Sequence, residues 1–443
     1  MFSRAICLAL LMVCFTTQAL AEFTLVPGLD LRLEYNDNIF LDPEDEEDDL
    51  ITSIAPNISL DWETSRLNVA LFASLSMEKY LDHTDEDRIG ADANQVSRLD
   101  ALARLYRELL FVRISNTYQR VPIDEGGRGG EGNTNINLTD SNRFEFNPYL
   151  LFQPMKDTRV QLGYTYTNLW YEEEEGDDAE SHNHYVSITK GLSARTVMSL
   201  SGSFLQYRPK DPEEVLLFGE GGAYDYDRKS VSAGLTYQAT ERLKLNGQYG
   251  HTWLDYGVRA DSDAATWSVG ADYEISSNYT AGIQYSNDYA VSVEDGPSDT
   301  ERLMAYLAYD ERFSLKFSLF TSSRDYVEID RSTDTYGGEL SGDLPFNDKV
   351  GVTGLLRYTN FDDSGTDDMP ASIVSDNSII IITPGSPGID EEQYDRYSLR
   401  FSLYYVTRLG RISAGYIYNR QDSDLDDADY TNNILFVAAS LTF

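Results

Sequence analysis

The sequence predicts an all-β chain that forms a transmembrane, antiparallel, up-and-down β-barrel of about 20 strands, with about 18 as the alternative. Three observations support this fold class. Apolar and polar residues alternate along many segments, short and long connections follow one another in turn, and no apolar run reaches the roughly 20 residues of a membrane-spanning helix. Alternation with period two places successive side chains on opposite faces of a sheet.

Residues 1–21 have the features of a signal peptide, and residues 22–443 are predicted to form the barrel. Arg4 supplies a positive charge, a short apolar stretch follows it, and Ala19-Leu20-Ala21 has the small-x-small pattern of a cleavage site. The alternative is a lipoprotein signal at Cys14, but the residue before it is larger than such a signal prefers. Both cysteines lie in this segment, so the remaining chain has no thiol chemistry.

The strands are identified by alternation that repeats along the chain. In one segment the apolar face carries Phe313, Leu315, Phe317 and Leu319, and the polar face carries Ser314, Lys316 and Ser318. A transmembrane barrel needs this pattern because one face of each strand meets lipid and the other meets the lumen. A soluble β-sandwich or propeller is the alternative, but it does not explain how the connections are sorted.

The connections between strands fall into two classes that alternate. The short class comprises turns such as 63–65, 154–157, 276–278, 345–348 and 408–410. The long class comprises ten acidic loops at 36–49, 82–94, 121–138, 172–181, 209–225, 256–264, 291–299, 326–334, 362–393 and 421–429. Outer-membrane barrels have short periplasmic turns and longer outside loops. Ten loops and nine turns therefore predict 20 strands with both termini in the periplasm.

The negative charge is concentrated in the predicted loops. The chain has 74 acidic and 35 basic side chains and a formal net charge of -39, and the ten loops hold 49 of the acidic residues but only five of the basic ones. This charge excludes nucleic-acid binding through phosphate attraction. The acidity is therefore predicted to belong to one rim of the barrel.

The wall is predicted to enclose a polar and mildly basic lumen, because its basic residues lie on the polar face of the strands. A charge on the lipid face costs about 2–4 kcal/mol at the bilayer midplane, which favours a lumen position. The predicted lumen residues are Arg113, Lys244, Lys316, Arg357, Arg396, Arg400 and Arg411.

The acidic rim is a candidate for loose binding of Ca²⁺ or Mg²⁺, because dense carboxylates are hard oxygen ligands. The cations would bridge the loops to phosphates of neighbouring lipopolysaccharide. The candidates are Asp42, Glu44, Asp45, Glu46, Glu172, Glu174, Asp422, Asp424 and Asp426. A solvated, self-repelling rim is the alternative.

No firm metal site, cofactor site or catalytic residue is predicted. Asp422, Asp424 and Asp426 have the spacing of a calcium loop, but its turn glycine and closing Glu are absent. His182 and His184 share one strand face, which could suit a metal, but no third ligand is nearby. No local pattern indicates an enzyme.

The final segment, which ends on Phe443, is predicted to close the barrel and to act as an assembly signal. Leu435, Val437, Ala439 and Leu441 alternate with less apolar neighbours up to that residue. The last strand must pair with the first, because an open edge is not tolerated in lipid. The expected partner in assembly is the barrel-assembly machinery.

The N-terminal stretch from Pro27 to Phe40 resembles the opening of the beta-barrel porin 2 family. It has a strand that runs into the turn Tyr35-Asn36-Asp37-Asn38-Ile39-Phe40, then an acidic loop and a second strand, and Tyr80 ends the next strand. The resemblance implies an outer-membrane barrel, with a role in exopolysaccharide export or surface assembly and with polysaccharide-export components as partners. It implies no catalytic residues.

Three functions are consistent with these observations. The first is an outer-membrane channel, used for export of an acidic surface polysaccharide. The second is a general diffusion porin for small solutes, and the third is a plugged structural or docking barrel. The run Ile379 to Ile382 is unusual for a water-exposed loop. It predicts either a strand above the membrane or a segment that folds inward and narrows the pore.

Overall fold

The computed structural model describes most of the chain after the first 21 residues. The described residues are 22–90, 93–122, 132, 136, 138–172, 178–210, 225–256, 261–292, 296–327, 330–366, 392–425 and 428–443. The predicted signal peptide, Glu174, Asp426 and the run Ile379 to Ile382 lie outside them.

Twenty β-strands account for most of the described residues. They are β1 (Glu22–Asn36), β2 (Asp49–Glu63), β3 (Leu67–Lys79), β4 (Asn94–Arg104), β5 (Leu110–Pro122), β6 (Leu138–Met155), β7 (Thr158–Tyr171), β8 (Ala179–Ser193), β9 (Thr196–Pro209), β10 (Tyr226–Gln238), β11 (Leu243–Tyr256), β12 (Ser262–Ser276), β13 (Tyr279–Ser292), β14 (Gly296–Asp310), β15 (Ser314–Tyr326), β16 (Asp330–Pro345), β17 (Val350–Thr366), β18 (Glu392–Val406), β19 (Gly410–Ser423) and β20 (Tyr430–Thr442).

Two short 3-10 helices, Thr84–Glu86 and Tyr106–Glu108, lie in connections between strands. The described part of the chain contains no helix of the length and apolar character needed to cross a membrane.

Every strand pairs antiparallel with its neighbours in the chain, and β20 pairs with β1. The closing pairs run from Gly28 opposite Thr442 to Asn36 opposite Ile434. The sheet is therefore a closed barrel of 20 strands, which confirms the predicted fold class and strand number. Closure satisfies the backbone groups that a membrane-embedded edge would leave unpaired.

The two ends of the barrel differ in their connections. Nine short turns and both described termini lie at one end, here called the turn end, and ten other connections lie at the opposite loop end. The predicted loops 291–299 and 326–334 are wrong in extent, because strand pairing continues into them. β14 begins at Gly296, opposite Ser292, and β16 begins at Asp330. These polar strands keep their ladder hydrogen bonds beyond the apolar band.

The alternation keeps the same two faces around the whole barrel. Outward residues pair with outward residues, as Leu315 does with Tyr309 and Leu356 with Leu399. The same holds where the barrel closes, because outward Leu33 of β1 pairs with outward Val437 of β20. The outer face is apolar, and residues such as Leu319 and Leu356 are about half exposed because no described part of the chain covers them. The opposite face carries the polar side chains and lines the lumen.

Aromatic residues form a belt at each end of the outer face. The belt at the turn end includes Phe23, Trp62, Tyr237, Tyr273, Tyr279, Tyr309 and Tyr405. The belt at the loop end includes Tyr35, Tyr118, Tyr166, Trp253, Trp267, Tyr285, Tyr336, Tyr358, Tyr397 and Tyr416. Two such girdles around an apolar band are characteristic of barrels embedded in a bilayer.

Tyrosines of the loop-end belt reach polar groups above it. The hydroxyl of Tyr118 donates to Asp140 (2.9 Å), that of Tyr285 to Glu301 (2.7 Å) and that of Tyr358 to Asp395 (2.7 Å). In each case the acceptor lies two residues from the position directly opposite the tyrosine. The belt therefore marks the height at which the outer wall changes from apolar to acidic.

Candidate functional site: the barrel lumen

All seven basic residues predicted to face the lumen lie on the inward face of their strands. Each is offset by one residue from the outward apolar positions, as Lys316 is from Leu315 and Phe317. The structure thus places these side chains on the face that the alternation predicts.

Two of the predicted basic residues are neutralised by carboxylates on the neighbouring strand. Arg113 lies 2.6 Å from Asp100, and Arg357 lies 2.7 Å from Glu339. Both acids face the lumen, and the sequence interpretation missed their role because it considered the basic residues strand by strand. The lumen is therefore a mixture of ion pairs and single cations.

Three predicted residues gather on two adjacent strands. Arg357 of β17 lies opposite Ser398 of β18, which is between Arg396 and Arg400. The Arg396 guanidinium donates to the Gln421 side-chain oxygen at 2.6 and 2.9 Å. Arg357, Arg396 and Arg400 therefore lie together on one part of the inner wall.

Five lumen aromatics lie flat across a glycine on the adjacent strand. A side chain built at the glycine would overlap the aromatic ring in each case. The directly opposed pairs are Tyr185 and Gly163, Tyr306 and Gly282, Phe320 and Gly337, Tyr404 and Gly351, and Phe436 and Gly415. The glycines leave room for rings to lie against the wall, which keeps them out of the centre of the lumen.

Three of these rings also have a cation close to the ring. Lys316 Nζ is 5.8 Å from the Tyr306 centroid, the Arg411 guanidinium is 3.8 Å from that of Tyr404, and the Arg32 guanidinium is 4.6 Å from that of Phe436. Glycine, ring and cation occupy three consecutive strands in each case. Such cation–π contacts fix the position of a charge without neutralising it.

The connection between β5 and β6 enters the lumen at Gly132. A Cβ atom at Gly132 would lie 3.1 Å from a terminal methyl of Ile434 and 3.2 Å from that of Ile417. Both isoleucines face inward, yet they are 0% and 1% exposed. The lumen is therefore narrowed on the side of β19 and β20 by a connection that the sequence interpretation did not single out.

The motif that suggested a family resemblance lies at the loop end of the seam between β1 and β20. Asn433 donates to both carboxylate oxygens of Asp37, at 2.6 and 2.7 Å. Buried Asn432 donates to the Asn38 carbonyl at 2.8 Å, and Asn38 donates to the Thr431 carbonyl at 3.1 Å. These bonds hold the barrel closed where the strand ladder ends.

A small apolar cluster above the seam contains the rest of the motif. Ile39, Ile51 and Tyr80 are buried together, and Phe40 packs against them. His83 lies beside Phe40, and its Nδ1 is 2.9 Å from Asp49. The hydrogen bond from His83 to Asp49, and then the one to Glu47, raise the pKa of the imidazole above its usual value.

The described acidic rim residues are used mainly by the backbone of the loops. Asp42 accepts from the Glu44 and Asp45 N–H groups, both at 3.0 Å. Asp424 accepts from the Gln393 N–H at 2.8 Å, and Asp422 pairs with Arg420 at 2.7 Å. Within the described residues, the Glu46 and Glu172 carboxylates form no hydrogen bond or ion pair.

No group of three histidine, cysteine or acidic residues is arranged to hold a metal within the part of the chain that the structure describes. His182 and His184 lie on the outer face, where they contact Tyr164 at ring distances of 6.1 and 5.0 Å. Cation binding at the rim stays a prediction.

Phe443 is tied to the first strand at the turn end. Its backbone N–H donates to the Pro27 carbonyl at 2.9 Å, directly after the pair of Thr442 and Gly28. Its ring is 63% exposed, as expected for an outward residue of a barrel in lipid. The position is compatible with the predicted assembly signal, which stays a prediction.

The chain is similar in fold to solved outer-membrane receptors. A mutant of the ferric enterobactin receptor PfeA from Pseudomonas aeruginosa has a TM-score of 0.51 and 10% identity, over 97% of this chain and 81% of the receptor. The siderophore receptor PirA from the same organism has a TM-score of 0.50 and 10% identity, over 94% of this chain and 80% of the receptor. Identities this low support the shared barrel fold alone.

No protein-family profile and no curated protein matches the chain. The resemblance to the beta-barrel porin 2 family therefore stays a prediction based on the residues from Pro27 to Phe40 and on Tyr80.

Proposed function

We propose that the chain is a transport channel of the bacterial outer membrane, with its loop end outside the cell and its termini in the periplasm. The observation that carries this proposal is the contrast between the two faces of one closed wall. The outer face is apolar between two aromatic belts, whereas the inward face carries charged and amide side chains around its circumference. A polar inner face suits passage of hydrophilic solutes.

The lumen charges favour anionic solutes. Lys244 and Lys316 face the lumen and form no ion pair with a described residue. A basic lumen lowers the cost of passing a polyanion. Export of an acidic exopolysaccharide is the finer form of this proposal, and a general diffusion porin is its simplest form. The proposed partners are lipopolysaccharide, the barrel-assembly machinery and polysaccharide-export components.

Ion selectivity in planar bilayers tests the channel. At about 1 M salt the screening length is about 3 Å, so the acidic rim contributes little to ion selectivity. The charges of the lumen then determine which ions pass. We expect weak anion preference for the unmodified barrel. Lys316→Gln and Arg357→Gln should each reduce it, because each removes one positive charge from the lumen and the second also leaves the Glu339 carboxylate without this partner.

Arg420→Gln is the matched control, since Arg420 is paired with Asp422 at 2.7 Å but lies on the outer face. It should leave the reversal potential unchanged. A folded barrel that inserts into the bilayer and carries no current would contradict the channel.

A plugged structural barrel is the second candidate, and the contact of Gly132 with Ile417 and Ile434 favours it. The distinction depends on how far this connection closes the lumen. Deleting residues 126–134 should raise the conductance of a channel that is merely narrowed. A barrel that is silent before and after the deletion would support the docking role.

A further inference from the structure

A polar recess lies in the lumen wall on the side opposite the seam. Its volume is about 230 Å³, and it is formed by β10 to β14. The side chains that matter are those of Thr236, Lys244, Asn246, Asp272, Gln284 and Tyr306. All six face inward by the parity of their strands.

The recess has an aromatic wall in a fixed orientation. Tyr306 lies across Gly282, and its hydroxyl donates to Asp272 at 2.9 Å. The glycine supports one edge of the ring, and the carboxylate holds the other end. A flat ring beside polar groups offers a surface on which the C–H face of a sugar can pack.

The lining of the recess contains one lysine and one carboxylate, and a second lysine lies beside it. Asp272 is engaged by the Tyr306 hydroxyl, while Lys244, directly opposite it in the ladder, makes no hydrogen bond or ion pair with a described residue. Lys316 adds a second ammonium 5.8 Å from the ring centroid. Two cations against one carboxylate favour an anionic ligand over a neutral one.

Hydrogen-bonding capacity is also unused in the recess. Thr236, Asn246 and Gln284 form no side-chain hydrogen bond within the described residues. Amide and hydroxyl groups both donate and accept, which suits the hydroxyl groups of a carbohydrate. The volume is below the roughly 300–1,000 Å³ of sites for larger ligands, so it suits one sugar ring.

We propose that this recess is a lumen subsite for a uronic acid unit of an acidic saccharide. Lys244 and Lys316 attract the sugar carboxylate, Tyr306 supports the ring, and the amides bind hydroxyl groups. The inference rests on the proposed channel function and names the class of solute that this wall recognises.

The chain contains a matched control on another wall. Tyr185 lies across Gly163 in the same way, and its hydroxyl is shared with Asn147 and Gln161 at 3.1 and 2.9 Å. Among the described residues no lysine lies over the Tyr185 ring, so this second pair of ring and glycine lacks the cation that the proposal requires.

The test measures binding of galacturonate and galactose to the purified full-length barrel by calorimetry, and block of its current by trigalacturonate. We expect galacturonate to bind and galactose to bind at least about tenfold more weakly, because the charge-assisted bond is lost. Lys244→Gln and Tyr306→Leu should each weaken galacturonate binding by about tenfold. Tyr185→Leu should change it less than about twofold.

The outcomes separate the subsite from the channel. Equal binding of galactose and galacturonate, or an equal loss in Tyr185→Leu and Tyr306→Leu, would overturn the subsite. A conducting barrel that binds no galacturonate would also overturn it and leave the channel intact. Galacturonate binding by a barrel without conductance would support the subsite and contradict the channel. Heat-modifiable migration of each variant on gels establishes that it is folded.

Discussion

Two regions of the barrel follow the same alternating pattern but differ in how their inward residues are packed. They are the seam side, formed by β19, β20 and β1, and the far wall, formed by β10 to β14. On the seam side, Ile417, Ile434 and Phe436 form a buried cluster inside the lumen. On the far wall, Lys244 and Gln284 are exposed to the lumen. The alternation of apolar and polar residues determines which face a residue takes. Packing inside the lumen depends instead on which connections enter it.

Inward residues therefore have two separate roles in this barrel. The seam side joins the first and last strands and is held by buried polar bonds such as that of Asn432 with Asn38. The far wall keeps its polar groups available to a solute. Changes on the seam should therefore affect stability, and changes on the far wall should affect transport.

The largest effect is expected for Gly415→Ala on the seam side. The new Cβ would lie 2.5 Å from the Phe401 carbonyl oxygen and 2.6 Å from Phe436 Cζ, and neither can retreat because one is backbone and the other is buried. Overpacking of this kind costs about 1–3 kcal/mol. The urea midpoint of the folded barrel, followed by heat-modifiable migration, should fall.

Gly247→Ala is the control for that variant, because the nearest atom to its new Cβ, the Ser268 carbonyl oxygen, is 3.9 Å away. If both variants unfold at the same urea concentration, the seam side is no more tightly packed than the rest of the wall.

A smaller effect, of a different kind, is expected for Gly282→Ala on the far wall. The three atoms nearest to the new Cβ all belong to the ring and hydroxyl of Tyr306, a side chain that can rotate into the open lumen. The barrel should lose the Tyr306–Asp272 hydrogen bond, about 1 kcal/mol, and single-channel conductance should decrease as the ring enters the path. A fall in stability as large as that of Gly415→Ala would remove the contrast between the two walls.

The smallest effect concerns the pH dependence of the cluster above the seam. The pKa of His83 is raised by Asp49 and then Glu47, so protonation stabilises the contact between the first two loops. This contribution is fully present below about pH 6.5, the unfolded value, and is lost as pH rises through the raised pKa. Hydrogen exchange of the Leu81 and His83 amides should accelerate over that interval, beyond the intrinsic pH effect.

His83→Gln should remove this additional dependence. His251→Gln removes the other histidine–aspartate contact, with Asp263 at 2.8 Å on the outer face, and should leave the two loop amides unaffected. An unchanged exchange profile in His83→Gln would show that the imidazole does not hold the loops together.

The fold could be predicted from the sequence because each of its determinants is local. Alternation assigns the face of Lys316 or Leu319, and a turn such as 408–410 ends a strand without reference to distant residues. Loop lengths were less predictable, since β14 and β16 continue as polar paired strands where alternation no longer separates lipid from water.

The site could be predicted only in part, because its partners come from different strands. The inward position of Arg113 and Arg357 followed from parity, but their pairing with Asp100 and Glu339 depends on the register between neighbouring strands. The role of Gly282 could not be predicted from the sequence, because it depends on the register that pairs this residue with Tyr306. The predicted narrowing by Ile379 to Ile382 lies outside the described residues.

The closing pair of Gly28 and Thr442 also determines when the barrel can form. Gly28 belongs to the first strand to be synthesised and Thr442 to the last, so the closing contact spans almost the longest sequence separation in the fold. Contacts of such high contact order form slowly, and until they form both terminal strands have unpaired edges. The chain must therefore be protected from association with other chains throughout its synthesis and transit, and the time to closure becomes the period of greatest risk of aggregation.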